Sequence, residues 1–173
     1  MTCSRGHHSW SESLDYARIG NLALTDVFST EKRSWVMSRI RGKDTRPERT
    51  VRSFLHSRGF RFRLHVKQLP GRPDIVLPKL KTVIFVHGCF WHHHARCKYA
   101  VYPRRRAEFW RAKIDGTVKR DRNTARLLRK SGWETITIWE CEIERERNCW
   151  ERLLKKIDSR RIPRTRSGAK PSR

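Results

Sequence analysis

The chain has 173 residues and a formal net charge of +24, with 41 lysines and arginines against 17 aspartates and glutamates. This length allows one domain with a real core, and the basic excess indicates a polyanionic partner such as DNA, RNA or an acidic membrane surface. No apolar run approaches the roughly 20 residues of a membrane span, and the first residues lack the apolar stretch of a signal peptide. We therefore expect a soluble intracellular protein, whose five cysteines do not form a disulfide framework.

The first predicted elements are helices. Residues 1–28 show weak periodicity and are predicted to be a mobile extension. Ser29-Thr30-Glu31 resembles a helix start. Thr45-Arg46-Pro47-Glu48 is a second start signal, because it combines a capping residue, a proline near the first turn and a glutamate soon after. Gly59 is predicted to end this second helix.

Four short segments have the patterns of β-strands. Residues 60–66 alternate apolar and polar side chains, which predicts a half-buried strand. Residues 75–77 and 82–86 are short apolar runs and are predicted to be central strands, covered on both faces. Residues 134–140 alternate again and predict a further strand.

The remaining pattern is helical, with a basic tail. Residues 104–131 read as a helical segment that is broken or bent near Gly116, and Trp150 to Ile157 give a final amphipathic helix. Residues 159–173 carry no acidic side chain and are predicted to be a disordered tail. The order predicts an α/β fold, in which a mixed sheet has helices on its faces.

A cluster of cysteine and histidine predicts a metal site. Cys89, His94 and Cys97 place three soft ligands close together, and a structural zinc ion usually takes four Cys or His ligands in a tetrahedron. The fourth could be Cys141, if the strand before it neighbours the 82–86 strand, and Cys149 is a rival. The alternative is that these cysteines are small buried apolar groups.

A second cation site is predicted around Asp74. This residue opens the apolar run 75–77, where a carboxylate is costly unless it is paired, hydrated or bound to a cation. Mg²⁺ prefers one or two carboxylates with water and phosphate oxygens. His92 could activate water on the same phosphate, and Glu48 is another acid that could reach the site. The alternative is a turn-closing aspartate.

Several long motifs resemble those of one family. They lie at residues 69–74, 83–94, 108–114, 120–122 and 132–141, and they closely resemble the very-short-patch repair (Vsr) mismatch endonucleases over about residues 30–157. The resemblance implies a restriction-endonuclease-like mixed sheet flanked by helices, with a structural zinc site and the endonuclease domain over residues 29–158. It also implies a Mg²⁺-dependent nick in duplex DNA, on the 5′ side of the mismatched T in T·G pairs that arise from 5-methylcytosine deamination.

The resemblance also implies roles for catalytic residues. Asp74 matches the aspartate that binds Mg²⁺, together with the backbone carbonyl of Val86. His92 matches the general base and Asp121 the acid that supports it. Accessory active-site residues are matched by His87 and Glu48.

Zinc and DNA contacts are carried over in the same way. The structural zinc ligands of the family are matched by Cys89, His94, Cys97 and Cys141. The aromatics that wedge into the base stack beside the mismatch are matched by Phe90, Trp91 and Trp110, and an apolar wedge from the N-terminal helix is matched by Met37.

This sequence departs from the family pattern at three places. Val86 replaces a threonine, and because the ligand there is a backbone carbonyl, valine should serve. One extra residue separates His94 from Cys97. Thr117 stands where the pattern has asparagine.

The predicted partner is double-stranded DNA with a T·G mismatch, with mismatch-repair proteins as further partners and no membrane. We expect a monomer in the bacterial cytoplasm, associated with the nucleoid. An alternative is a zinc-stabilised DNA-binding module without cleavage activity, against which the retention of Asp74 and His92 argues. A basic RNA-associated protein is a third interpretation.

Overall fold

The chain is described from a computed structural model, in which residues 42–145 and 148–159 are described together with five single residues before them: Ser29, Glu31, Trp35, Ser38 and Arg39. The predicted extension over 1–28, Met37 and the predicted tail beyond Ser159 lie outside the described residues. Glu31, Trp35 and Ser38 are helical, at the place where the sequence predicts the first helix. Within the part of the chain that the structure describes, no helix is long and apolar enough to cross a membrane.

Helix α1 spans Arg46–Ser57 and begins with the predicted capping box. The Thr45 side chain accepts a hydrogen bond from the backbone N–H of Glu48, and the Glu48 side chain accepts one from the backbone N–H of Thr45. Val51 and Leu55 form the buried face of this helix.

Four strands form one sheet in the order in which they occur in the chain: β1 Arg63–Leu64, β2 Ile75–Leu77, β3 Thr82–His87 and β4 Glu134–Trp139. β1 pairs with β2 and β2 with β3 in antiparallel fashion, whereas β3 and β4 are parallel. A parallel pair needs a crossover connection, and α2 (Ala107–Lys130) lies within it. The predicted mixed sheet is therefore confirmed.

Helices cover both faces of the sheet. α1 and the last helix, α4 (Cys149–Asp158), pack on one face, and α2 contributes to a second cluster on the other. The first core joins side chains of α1, the sheet and α4, including Val51, Leu55, Ile75, Ile84, Ile136, Leu153 and Ile157. The second core joins Val76, Val83 and Leu128.

Three elements differ from the sequence-based expectation. β1 has two residues instead of the seven predicted over 60–66. It ends at Leu64 because the next residue, His65, takes a positive φ of +46° that leaves the extended conformation. α2 runs unbroken through Gly116. β4 ends at Trp139, and a short helix that the sequence did not predict, α3 (Glu140–Arg145), follows directly.

The turn before β2 fixes the approach of the chain to Asp74. Gly71 has a φ of +73°, and a Cβ placed there would collide with the methyl group of Thr124 on α2. Only glycine combines this φ with so close an approach. The turn therefore packs tightly on α2, three residues before Asp74.

Candidate active site and metal centre

The candidate site is built at the end of β3, where the chain leaves the sheet beside β4. The parallel register pairs His87 with Trp139. Cys89 and Cys141 each lie two residues beyond this pair, so the register brings them to the same edge of the sheet. The condition under which Cys141 could be the fourth ligand, that β4 neighbours β3, is therefore met.

Cys89, His94, Cys97 and Cys141, called here the cysteine–histidine cluster, offer ligand atoms that all lie within 4.8 Å of one another. The Nδ1 of His94 lies 3.7 Å from the Cys89 sulfur and 3.3 Å from the Cys141 sulfur, and the sulfurs of Cys97 and Cys141 are 3.7 Å apart. Tetrahedral ligands around zinc lie about 3.5–3.8 Å apart, given its usual bond lengths. The cluster could therefore hold a metal ion of this size.

The surroundings of this cluster also suit a metal ion. Burial raises the pKa of the Cys89 thiol, and it raises the pKa of Cys141 to about 11. A bound cation would stabilise the thiolates that burial disfavours. The His94 ring is stacked on Trp139 at 4.1 Å, which orients its Nδ1 toward the sulfurs. Cys149, the rival fourth ligand, lies in α4 and is not part of the group.

Asp74 lies just before β2, and its Oδ2 accepts a hydrogen bond of 2.8 Å from the backbone N–H of Val86. Burial raises the pKa of this carboxyl and the charge of Glu48 raises it further, whereas the hydrogen bond from the Val86 N–H and the positive charge of Arg52 oppose the rise. A carboxylate that is costly to ionise without a cation is suited to bind one.

His92, in the loop after β3, is paired with an acidic residue of α2. Its Nδ1 lies 2.7 Å from Oδ2 of Asp121, which α2 supplies. An ionised carboxylate only accepts hydrogen bonds, so Nδ1 carries the proton in this pair. The other ring nitrogen, Nε2, is then left with a lone pair that can accept a proton.

His87 connects the two halves of the site. Its ring stacks on His92, with centroids 3.8 Å apart and planes 10° apart, and it meets Trp139 edge-on at 5.4 Å. Burial, helped by the neighbouring His92, lowers the pKa of His87 to about 4, although Asp121 opposes the shift. Since Asp74 contacts Val86 and His92 contacts His87, the last two residues of β3 join the carboxylate to the imidazole.

The aromatic residues of the loop after β3 cluster with those at the start of α2. Phe90, Trp91 and Trp110 contact one another with ring centroids 5.0–6.0 Å apart. Trp110 is only 8% exposed, so in the chain without DNA it supports the other two rings. Phe109 is 47% exposed and packs edge-on against Trp110.

Three polar residues around Glu48 were not predicted from the sequence: Asp44, Arg52 and His65. Arg52, four residues along α1, forms an ion pair with Glu48 and another with Asp44, and its Nη2 lies 3.1 Å from Nε2 of His65. The spacing of four residues between Glu48 and Arg52 on a predicted helix is a signal that could have found this pair. The sequence contains no comparable spacing signal that would have predicted the exposed position of Phe109 beside Trp110.

Comparison with known proteins decides the family. The family model described as DNA mismatch endonuclease Vsr matches residues 25–98. The DNA mismatch endonuclease Vsr of Escherichia coli K12 is 40% identical over 136 residues, which cover 78% of this chain and 86% of that protein. The chain belongs to the Vsr family.

Two further relatives of this Vsr-type endonuclease are described as type II nicking enzymes. V.XorIIP of Xanthomonas oryzae pv. oryzae is 48% identical over 120 residues, which cover 69% of this chain and 88% of the relative. V.NmeAIP of Neisseria meningitidis serogroup A is 46% identical over 130 residues, which cover 75% and 92%. The chain is thus a Vsr-type nicking endonuclease that acts on DNA.

Proposed function

We propose that this endonuclease nicks one strand of duplex DNA on the 5′ side of the mismatched T in a T·G pair, with Mg²⁺ as the catalytic ion. The observation that carries the proposal is that two groups are held by adjacent residues at the end of β3. The Asp74 carboxylate is fixed on the amide of Val86, and His92, paired with Asp121, stacks on the next residue.

Asp74 and the backbone carbonyl of Val86 would hold the ion. When bound, Mg²⁺ polarises the phosphate and neutralises the charge that develops on the leaving oxygen. The Val86 carbonyl suits this role whatever side chain the residue carries. Its N–H is already bound to Asp74, so the two ligands are fixed relative to each other.

His92 acts as the general base in this proposal. Asp121 accepts the Nδ1 proton, which orients the ring and stabilises the imidazolium that forms when Nε2 takes a proton from water. His87 stays uncharged beside it, because burial keeps its pKa near 4. A neutral stacked ring adds no charge repulsion when His92 becomes protonated.

We infer that the cysteine–histidine cluster binds a structural zinc ion. The spacing of its ligand atoms and its donor set support this inference. The ion would tie the loop that carries His92 to α3, which begins directly after β4. The fold inferred for the domain is restriction-endonuclease-like, in line with a mixed sheet between helices.

The aromatic residues provide the mismatch preference in this proposal. Inserting Phe90 and Trp91 between base pairs costs a few kcal/mol of unstacking, and less at a mismatch. Stacking on an aromatic ring returns roughly 1–3 kcal/mol per base. The balance therefore favours T·G over intact duplex, with Trp110 behind the two rings and Met37, outside the described residues, as a second wedge.

The test is a nicking assay on end-labelled duplexes that differ only in one base pair. With Mg²⁺ we expect a single cut in the T strand, immediately 5′ to the T of T·G, and at most weak cutting when the same T pairs with A. EDTA and Asp74→Asn should each abolish it. Equal cutting of the T·A duplex would refute the mismatch preference, and a cut in the G strand would refute the assigned position.

A further inference from the structure

A group of charged side chains lies beside the proposed Mg²⁺ site and is centred on Arg52 of α1. The guanidinium donates to the carboxylate of Asp44 and, at 2.7 Å, to Oε2 of Glu48. The Arg52 side chain is 13% exposed and that of Glu48 is 5% exposed. The ion pair between them is thus largely shielded from water, where charge interactions are stronger than at the surface.

The resident cation of this group is Arg52 itself. Asp44, Glu48 and His65 offer ligand atoms within 4.8 Å of one another, a pattern that can indicate a metal site. Here, however, the Arg52 nitrogens already contact all three residues. A metal ion is therefore not needed to neutralise these carboxylates.

The Glu48 carboxylate is fixed from both sides. Oε1 accepts a hydrogen bond of 2.9 Å from the Thr45 hydroxyl, and Oε2 accepts one of 3.1 Å from the backbone N–H of Asp44 in addition to that from Arg52. Glu48 is close enough to Asp74 for its charge to act on that carboxyl. The orientation of Glu48 therefore helps to set the electric field at the proposed cation site.

Arg52 also ties α1 to the chain that leads into β2. A guanidinium has donors only, so the 3.1 Å contact requires that Nε2 of His65 is the acceptor and carries no proton. The Nε of Arg52 is buried and has no hydrogen-bond partner among the described residues. The position of the guanidinium is thus set by its three partners rather than by full satisfaction of its own donors.

We propose that Arg52 is a positioning residue for DNA nicking, which fixes the orientation of the buried Glu48 carboxylate and anchors α1 to His65. In this proposal Arg52 acts through Glu48, and not by direct contact with the DNA or the cation. This inference rests on the proposed function, because it takes Asp74 as the ligand of the catalytic ion.

The test is single-turnover nicking of a T·G duplex at saturating Mg²⁺ by Arg52→Met, Glu48→Gln and the double variant. We expect each single change to lower the maximal rate by roughly 10-fold, with unchanged affinity for the duplex and no further loss in the double variant. Arg49→Met, an exposed arginine one turn earlier on α1, is the matched control and should nick at the wild-type rate. Effects that multiply in the double variant, or an Arg52→Met enzyme with the full rate, would overturn the proposal.

If Arg52 acted only through its positive charge, the Arg52→Met variant would behave differently. Loss of a positive charge near the cation would tighten Mg²⁺ binding and leave the saturated rate unchanged. Arg52→Lys, which keeps the charge without the planar fork, should recover only part of the rate and serves as a second variant if Arg52→Met does not fold.

The network also has a readout that does not involve cleavage. The ¹⁵N shifts of the His65 ring should report an unprotonated Nε2 in the wild type and a changed tautomer balance in Arg52→Met. A protonated Nε2 in the wild type would contradict the contact. A wild-type enzyme that nicks no T·G duplex would refute the proposed function, whereas a nicking wild type matched by Arg52→Met would refute only the role of Arg52.

Discussion

The Nδ1 of His92 lies 2.7 Å from the Oδ2 of Asp121, although the two residues are 29 positions apart in the chain. His92 belongs to the loop after β3, and Asp121 faces it from α2. We predict that Asp121→Asn lowers the single-turnover nicking rate by roughly 100-fold, because the imidazole loses the charge that orients it and stabilises its protonated form. DNA affinity, measured by fluorescence anisotropy, should stay unchanged.

Asp115→Asn is the matched control for this prediction. Asp115 lies on the same helix, is exposed and accepts a hydrogen bond from the Tyr102 hydroxyl. Its replacement should leave the nicking rate within about 2-fold of the wild type, as is usual for exposed side chains away from a site. If the Asp121 variant nicked as fast as this control, Asp121 would have no part in catalysis.

The zinc site proposed for the cysteine–histidine cluster predicts that substitutions of two cysteines, Cys141 and Cys149, differ in their effect on zinc content. Metal analysis of the wild type should find about one zinc per chain, held by four ligands. Cys141→Ala should lose it and melt at a lower temperature, since binding energy of the ion contributes to folding. Cys149→Ala, a change at a buried cysteine outside the cluster, should keep the zinc. Full zinc content in the Cys141 variant would rule out this ligand set.

The sequence was sufficient to predict the members of the cysteine–histidine cluster, because three of the four residues lie close together in the chain and the strand patterns are strong. The alternation in residues 134–140 and the apolar run 82–86 predicted two strands, and their parallel pairing brings Cys141 to Cys89. The capping box at Thr45 was predictable for the same reason, since its partners lie within one helical turn.

The remaining features depend on contacts between distant segments, which periodicity does not reveal. The strand predicted over residues 60–66 ends at Leu64, because His65 takes a positive φ and contacts Arg52 across the fold. Trp110 was expected at the DNA-facing surface, yet its position on the inner face of α2 buries it behind Phe90 and Trp91. The local sequence reveals neither the early end of the strand at His65 nor the burial of Trp110.

We predict that replacing an aromatic residue in the loop after β3 lowers the selectivity of the enzyme for the mismatch. Phe90→Ala should lower kcat/KM on a T·G duplex by roughly 10-fold to 100-fold, because one base loses its stacking partner. The ratio of T·G to T·A cutting should fall with it. Trp150→Phe is the control, as Trp150 stacks on Phe54 between α1 and α4 and its replacement keeps a ring. An unchanged ratio in the Phe90 variant would remove this residue from recognition.

The burial of His87 predicts that the free energy of unfolding decreases at acidic pH. Its pKa is lowered from 6.5 to about 4 in the folded chain, so between these values the unfolded chain binds a proton that the folded chain does not. Stability from this group is therefore complete above pH 6.5 and decreases as the pH falls toward 4, by up to about 3 kcal/mol. Urea unfolding from pH 7 to pH 4.5 measures it.

His87→Leu provides the comparison for the pH dependence, because acid effects common to both proteins cancel in the difference. The wild type should lose more stability than the variant over this range, and NMR titration should show an uncharged His87 ring at pH 5.5. Parallel pH profiles, or a ring that is protonated at pH 6, would contradict the burial of a neutral His87.

We propose that one divalent ion is bound by Asp74 near His92, at the end of β3. Anomalous scattering from Mn²⁺ in crystals of the enzyme with a T·G duplex tests it most directly. We expect a peak on the Asp74 carboxylate and the Val86 carbonyl, with the scissile phosphate between the ion and Nε2 of His92. A fully occupied Mn²⁺ site elsewhere, with Asp74 unliganded or His92 turned away from the phosphate, would contradict it.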